Sequence, residues 1–521
     1  MKKLPIGIYN FEEMITENYY YVDKSCYIHQ LISSGKYYFL SRPRRFGKSL
    51  FIDTLKCAFE GKKTLFNGLY LEKHWDFETT YPVLKFSLGL GRVTCLTELN
   101  TRLLSILDEQ AQKHEIECKH ELVADIFSEL IRKLHDKTGQ RVVVLIDEYD
   151  KPILDNLEDT LRAKEMRDGL KNFYSVIKDS DACIKFCFIT GVSKFSQVSI
   201  FSDLNNLEDI SLSPYMGSVC GYTQGELEHT FAERLIGLDL SELAAWYDGY
   251  NFMGKDKVYN PFDVLLFFRE NKFNSYWFES ATPSFLVKLL TRKKVYLPDL
   301  AHIEIDQNML SSFELDNLLP EAVLFQSGYL TIKSVEEIAP GQRFLTLDFP
   351  NEEVRISLNM HLLNYLSGAP SRTSSLRFKM IKALRAKNME LVKLLFQSLF
   401  SSIPNEWYMK NNMDHYEGYY ASVVYSCVAS LGFHTKPEES SSHGRADLII
   451  DTGQVVYILE FKVVELEGDG LKAIHQIKQK GYHTKYMTAG QEVILVGMDF
   501  SKKDRNLAGF EWETVTGADF A

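Results

Sequence analysis

Along the first two hundred residues, short apolar runs alternate with longer stretches of helical periodicity. KYYFLS, YPVLKFSL, RVVVLIDEY and IKFCFITGV carry too few polar positions for a half-exposed strand, so they are expected to be strands buried on both faces. TRLLSILDEQAQKHE and TLRAKEMRDGLKNFYSVIKD repeat apolar residues every three or four positions and are expected to be helices. This alternation predicts a mostly parallel sheet with helices on both faces. From Gly221 to about Pro298 the helical period continues among many aromatics, as in a helical lid. LLPEAVLFQSGYLTI predicts a helix running into a strand, and QRFLTLDFPNEEVRISL a hairpin turning at Pro350-Asn351. A helix followed by a hairpin fits a winged-helix unit and equally a plain α+β packing element. Leu376 to Phe400 reads as one amphipathic helix stopped by Ser401-Ser402-Ile403-Pro404. The tail from Glu406 reads helix, strand, strand, helix, strand, with Glu438 to Ser442 as an exposed loop.

One strand-to-helix junction carries candidate phosphate chemistry. In YYFLSRPRRFGKSLFIDTL an apolar strand ends at Leu40, a short loop follows, and Gly47-Lys48-Ser49 opens an apolar helical run. That is the layout of a P-loop. Backbone N–H groups from Arg45, Phe46, Gly47, Lys48, Ser49 and Leu50 face phosphate oxygens, Lys48 reaches the β- and γ-phosphates, and the Ser49 hydroxyl ligates Mg²⁺. Arg42 stands where the motif has its first glycine, and Arg42, Arg44 and Arg45 add positive charge beside the expected phosphates. About a hundred residues on, VVVLI runs into Asp147 and Glu148. A carboxylate at the C-terminal end of a central parallel strand points into the crevice where ligands bind. Asp147 is thereby placed to hold Mg²⁺ and Glu148 to polarise the attacking water. The strand IKFCFITGVSKF ends in Thr190 and Ser193. A hydroxyl there is placed to sense a γ-phosphate, although Ser and Thr are also common turn-formers.

The tail carries a second cluster in GRADLIIDTGQVVYILEFKV. Asp447 opens one strand, Asp451-Thr452-Gly453 turns the chain, and the returning strand places Glu460 and Lys462 on one face with Phe461 on the other. The turn brings Asp447 towards Glu460 and Lys462. Two carboxylates supply hard oxygen ligands for Mg²⁺ or Mn²⁺, and a lysine beside them can orient water or stabilise a pentavalent phosphorus, a set suited to metal-assisted phosphodiester hydrolysis. The pattern is D-x₁₂-E-x-K, with Ala446 before the aspartate. Glu417, at the start of EGYYASVVYSCVASL, offers a further carboxylate or merely an acidic helix start. Gln476 and Lys480 share one face of the helix LKAIHQIKQKGY.

Composition narrows the classes. The 521 residues are 45% hydrophobic and 25% charged, ordinary for a soluble globular chain with several cores. The net charge of −11 argues against a static, nonspecific DNA coat. From Ser401 onward eleven Lys and Arg face seventeen Asp and Glu, so any DNA contact there relies on local basic patches and on metal. The N-terminal MKKLPIGIYNFEEM lacks the apolar core of a secretory signal, and no run of about eighteen apolar residues predicts a membrane span. Cys183 and Cys187 lack a second pair at zinc spacing and read as strand thiols. Scattered cysteines point to a reducing cytoplasm.

YYVDKS, SRPRRFGKSL, VVVLIDEYDKPI, FITGVSKFSQVSIFSDLNNLEDI, WYDGY, YNPFDVL, GRADLII, ILEFKV and HQIKQKGY together resemble the AAA-ATPase-like proteins that carry a C-terminal PD-(D/E)xK nuclease domain. The resemblance spans about Pro5 to Asn506. It implies an α/β fold: a P-loop, AAA-ATPase-like domain over residues 1–220, a helical lid over 221–305, a winged-helix-like linker region over 306–400 and a restriction-endonuclease-like domain over 401–521. It implies ATP bound by Lys48, Ser49 and Asp147, and a nuclease site of Asp447, Glu460 and Lys462. Within that family the first P-loop glycine is typically lost, so Arg42 is a family trait. Lys480 departs from the tyrosine that many related nucleases place four residues after the glutamine. The expected function is an ATP-binding, ATP-hydrolysing protein coupled to a Mg²⁺- or Mn²⁺-dependent DNA nuclease, with oligomerisation open. The alternative is a nucleotide-gated binding or signalling module whose nuclease fold does not cut.

Overall fold

The computed structural model describes residues 1–194, 200–201, 204–281, 284–311, 318–368, 370–403, 417–441, 444–464, 472–480, 486, 491–501 and 503–515. They fall into two compact units, Met1–Ala281 with Glu304–Thr346, and Thr282–Ile303 with Leu347–Ala521. The units cut across the divisions expected from sequence. Residues 282–303, expected in the lid, and 347–400, expected in the linker region, belong with the tail.

The first unit is built on β1 (Tyr37–Ser41), β2 (Val83–Ser87), β3 (Val142–Asp147), β4 (Ile184–Gly191) and β5 (Glu208–Asp209), in the order β2-β3-β4-β1-β5. Every neighbouring pair is parallel. All six residues of β3 are buried, which accounts for its unbroken apolar run. The helix Val123–Thr138 buries Phe127, Leu130, Ile131 and Leu134, and Gly139 ends it at φ 68°. Phe127 stacks on Phe173 at 4.7 Å and meets Phe86 of β2 at 5.0 Å. Burying each phenyl contributes about 1.5–3 kcal/mol. The stretch after Gly221 is helical, with helices over Gln224–Thr230, Leu240–Tyr247 and Pro261–Glu270.

A three-stranded sheet of order β6-β8-β7 follows, from β6 (Ile303–Asp306), β7 (Thr331–Ala339) and β8 (Gln342–Asp348). The helix Pro320–Ser327 runs into β7 as expected. The hairpin does not turn at Pro350-Asn351. It turns at Pro340-Gly341, with Gly341 at φ 79°, and the residues after Pro350 form the helix Glu352–Ser367. The Asn351 side chain accepts from Val354 N at 3.1 Å, and Glu352 and Glu353 occupy the first turn. A cap followed by two acids outweighs the weak alternation of VRISL. The expected single helix over Leu376–Phe400 is two, Pro370–Arg385 and Met389–Ser402. Lys387 sits at φ 56° between them, and Asn388 restarts the helix by accepting from Leu391 N.

The second unit holds β9 (His434–Ser441), β10 (Gly444–Asp451), β11 (Val455–Val464), β12 (Glu492–Ser501) and β13 (Asn506–Val515), in the order β13-β12-β11-β10-β9. Only β11 and β12 are parallel, and the helix Lys472–Lys480 lies between them in the chain. The tail therefore has two strands more than expected. Of the segment expected as an exposed loop, residues 438–441 are the end of β9, where Glu439 pairs with Ala446, and Ser442 lies outside the described residues. Backbone pairing there overrides the polar composition, the ordinary weakness of strand propensity. The Tyr420 ring stacks on Phe500 at 4.7 Å, and Arg355 donates to the carbonyls of Ala429 and Phe433.

Candidate nucleotide and metal sites

The P-loop follows β1 as predicted. Gly47 caps the helix Lys48–Phe59 in the left-handed region at φ 95°, and Arg45 is also left-handed at φ 67°. Such backbone turns N–H groups inward at the start of a twelve-residue helix, a place that favours anions. Lys48 is buried, and its Nζ donates to the carbonyls of Arg42 and Pro43 at 2.9 Å each. Burial pulls its pKa below the ordinary lysine value, while Asp147, Asp150 and Glu148 offset part of that pull. Arg45, Phe46, Gly47, Lys48, Ser49 and Leu50 all line a cavity of about 590 Å³. That volume lies within the range of pockets for compact organic ligands.

Arg42 is a correction. It adds no charge beside the phosphates, because its side chain is only 1% exposed and turns into the protein. The guanidinium donates to the carbonyls of Ser41 and Ser211 at 2.8 Å and of Met216 at 3.0 Å, and lies 4.1 Å from the Phe252 ring centroid. Burial lowers its pKa to about 10. Where a P-loop glycine would leave space, this side chain ties the loop to the segment 211–217. Arg44 and Arg45 do line the cavity, and the Arg45 guanidinium lies 3.8 Å from the Phe262 ring centroid.

Asp147 ends β3 beside Ser87 of β2. It is 4% exposed, and its Oδ1 is buried with no hydrogen-bond partner. A sealed, unsatisfied carboxylate oxygen facing a buried lysine fits a hard divalent cation. Glu148 stands at φ 55° on the cavity wall, with its carboxyl against Gly89, where an added Cβ would lie 2.4 Å from Oε2. Burial first, then the charge of Asp147, raises its pKa above the ordinary carboxylate range. Thr190 is fully buried with an unpartnered Oγ1, whereas Val192 forms the cavity wall. The Ser193 hydroxyl is engaged by Asp150 at 2.6 Å.

In the second unit, Leu448 pairs with Leu459 in the antiparallel register of β10 and β11. Extending that register sets Asp447 opposite Glu460. Asp447 Oδ2 accepts from Phe461 N at 2.7 Å, so the two acids share one corner of the sheet. Glu460 is 1% exposed, and its Oε2 has no partner. Gln476 donates to Glu460 Oε1, and Lys462 Nζ lies 3.9 Å from the same oxygen. Burial first, then the charge of Asp447, raises the Glu460 pKa to about 8 against the opposing pull of Lys462. Gly497 of β12, register partner of Glu460, makes the Gln476 contact possible. A Cβ there would meet Ile474 N at 2.4 Å, so the helix rests directly on the glycine. Two opposed acids, one with an unsatisfied oxygen, fit a divalent cation. Among the described residues, no group of three or more His, Cys, Asp or Glu gathers. The expected carboxylate of Glu417 lies outside the described side chains. Lys480 is exposed and Lys478 pairs with Glu513.

A family model described as "Predicted AAA-ATPase" matches residues 5–201, and one described as "PD-(D/E)XK nuclease superfamily" matches residues 415–510. Over 515 residues the chain is 46% identical to a protein from Azotobacter chroococcum mcd 1 named "Uncharacterized protein in vnfD 5'region", with 99% of each chain covered. The chain belongs to the AAA-ATPase-like family with a C-terminal PD-(D/E)XK nuclease superfamily domain. In this family member the loop residues 44–50 and Glu148 line one cavity, Asp147 acts on Lys48 through its charge, and Asp447, Glu460 and Lys462 gather at one corner of the second sheet. No described helix is long and apolar enough to cross a membrane. Residue-by-residue reasoning missed several members of the nucleotide cavity. Tyr9, Tyr20 and Val22 wall it from the N-terminal segment, and Pro261 and Phe262 wall it from a helix start. YYVDKS and YNPFDVL were visible as motifs, but no spacing rule linked them to the P-loop.

Proposed function

We propose that this protein binds and hydrolyses ATP in its first unit and cuts DNA with a divalent metal in its second. In the first unit the loop Arg45–Leu50 cradles the phosphates, Lys48 leaves the Arg42 and Pro43 carbonyls for the phosphate oxygens, and Ser49 with Asp147 holds Mg²⁺. Glu148, whose pKa burial raises, orients and deprotonates water. Thr190, whose buried Oγ1 has no partner, is the hydroxyl proposed to report the γ-phosphate. Tyr222, just before the helix Gln224–Thr230, and the helix Pro261–Glu270, which supplies Pro261 and Phe262, act as the lid of the cavity.

In the second unit Asp447 and Glu460 hold Mg²⁺ or Mn²⁺. When bound there, such an ion lowers the pKa of a water and offsets charge on the scissile phosphate. Lys462 places its ammonium beside Glu460 to orient that water. Gln476 fixes the Glu460 carboxyl from the helix above. The observation that carries the reading is the opposition of Asp447 and Glu460, with a sealed and unsatisfied Glu460 Oε2 between strand and helix. The nuclease test offers linear and single-stranded DNA with Mg²⁺ or Mn²⁺ to the purified chain and to Glu460→Ala. Cutting by the first alone is expected. Equal cutting by both refutes the site. The ATPase test compares turnover with Lys48→Ala and Glu148→Gln, and indifference to both removes the first half of the reading. The non-cleaving alternative draws support from the two-carboxylate site and the acidic tail. No cutting under any metal or DNA condition would favour it. The same reading includes a cytoplasmic location, which the free cysteines support.

A further inference from the structure

The turn after β3 contains a buried carboxylate that the hydrolysis scheme does not use. Asp150 is 0% exposed. Its carboxylate accepts from Val192 N at 3.1 Å, from Ser193 N at 2.7 Å and from Ser193 Oγ at 2.6 Å. The preceding residue repeats the link, because Tyr149 N donates to the Thr190 carbonyl and Tyr149 OH to the Ser193 carbonyl, each at 3.1 Å. The two turns fit without slack at Gly191, where a Cβ would lie 2.5 Å from Asp150 Oδ1 and 2.6 Å from the Tyr149 ring. Five hydrogen bonds therefore join the turn after β3 to the turn after β4. Glu148, the residue before this seam, is held in the left-handed region, a conformation that a non-glycine residue keeps only where its surroundings impose it.

We infer that Asp150 is the positioning residue that sets the Glu148 carboxyl for water attack, by fixing the turn after β3 to Ser193 and to Val192, which lies on the wall of the nucleotide cavity. Asp150 itself lines the nucleotide cavity, but its carboxylate is spent on Val192 and Ser193 and touches no phosphate in this scheme. It acts through Glu148 on one side and through the cavity wall at Val192 on the other. The inference rests on the ATPase reading above. Misplacing a catalytic group by about 1 Å can cost about a hundredfold in rate while leaving ground-state contacts intact. The predicted signature is thus a kcat effect without a binding effect.

The test measures ATP turnover and fluorescent-nucleotide affinity for the full chain and for Asp150→Asn, Ser193→Ala and Tyr149→Phe, with circular dichroism and melting to confirm folding. Asp150→Asn is expected to lower kcat by about tenfold to a hundredfold, with nucleotide Kd within about twofold of the parent. Ser193→Ala removes one bond of the seam and Tyr149→Phe another, and each should lower kcat severalfold with Kd unchanged. Gly89→Ala presses on the Glu148 carboxyl from the opposite side and should give the same kcat-only loss without touching the seam. Folded Asp150→Asn with parental kcat overturns the inference while leaving the ATPase reading in place, as does a loss confined to Kd. If Asp150→Asn does not fold, parental kcat in both Ser193→Ala and Tyr149→Phe overturns it. A parent chain that binds but does not turn over ATP overturns the hydrolysis reading and this inference with it.

Discussion

Replacing Glu460 with Gln should remove a pH-dependent penalty from the metal-free second unit. The Glu460 carboxyl has a pKa of about 8 when folded, against an ordinary value of 4.5. Below 4.5 the folded and unfolded chains both carry the proton, so the group contributes no pH dependence. Between 4.5 and about 8 the unfolded chain has released it while the folded chain keeps it, and stability falls as pH rises. Above 8 the folded carboxyl ionises too, and the penalty stays at its full size. From pH 6 to pH 9 the group crosses about two units before its folded pKa, worth about 2.7 kcal/mol at 1.36 kcal/mol per unit. Lys462, partly exposed at 3.9 Å, shares that charge with solvent, so about 2 kcal/mol is expected. At about 2–4 °C per kcal/mol for a unit of this size, the shift is several degrees. The assay is thermal unfolding of parent and Glu460→Gln in EDTA at pH 6 and pH 9. The parent should lose several degrees more than the variant, because Gln still accepts from Gln476 and never ionises. Adding Mn²⁺ should shrink the difference for the parent, since the ion stabilises the ionised acid. Parallel losses in the two proteins would refute the burial argument for Glu460.

Three further outcomes follow from the geometry. Arg42→Gly, which restores the glycine of the general P-loop motif, should destabilise the first unit by about 3 kcal/mol or more, as charge-assisted bonds to the Ser41, Ser211 and Met216 carbonyls are worth about 1.5–3 kcal/mol each; an unchanged melting temperature would contradict this. Gly497→Ala must displace the Ile474 backbone and with it Gln476, at an overpacking cost of about 1–3 kcal/mol, and calorimetric titration should show weaker Mn²⁺ binding. A magnesium-nucleotide melting shift should appear in the parent and disappear in Lys48→Ala, while Glu460→Ala keeps it.

The central sheet was legible in the sequence because β3 is sealed at every position and β4 at every position but Lys185, which leaves nearly unbroken apolar runs. The acids at strand ends were legible for the same reason: a charge that closes such a run stands out. The tail hairpin was legible from its turn at Asp451-Thr452-Gly453, and the register then had to set Asp447 near Glu460. The misreadings share a different cause. VRISL alternates as a strand does, and only the Asn351 cap and two following acids decide for helix. Arg42 looked like phosphate charge because its acceptors, the Ser211 and Met216 carbonyls, lie about 170 residues further along the chain. Asp150 drew no reading from the sequence, because its donors belong to a different strand end.

Both sites rest on the same physical arrangement. Asp147 Oδ1 and Glu460 Oε2 are each sealed from water without a partner, and an unsatisfied buried polar group costs about 1–3 kcal/mol. A fold selected only for stability would replace such an acid with an apolar residue or give it a donor. Here Lys48 and Lys462 act on the two acids through their charge without hydrogen-bonding the orphan oxygens. Lys48 spends its donors on the Arg42 and Pro43 carbonyls, and the contact from Lys462 is to Oε1 of Glu460. The stabilisation that each site withholds from the free protein is available to whatever cation satisfies it. Binding should therefore raise stability by mass action at each site. Because the two orphan oxygens belong to separate compact units, each metal response can be removed by a substitution in its own unit while the other persists.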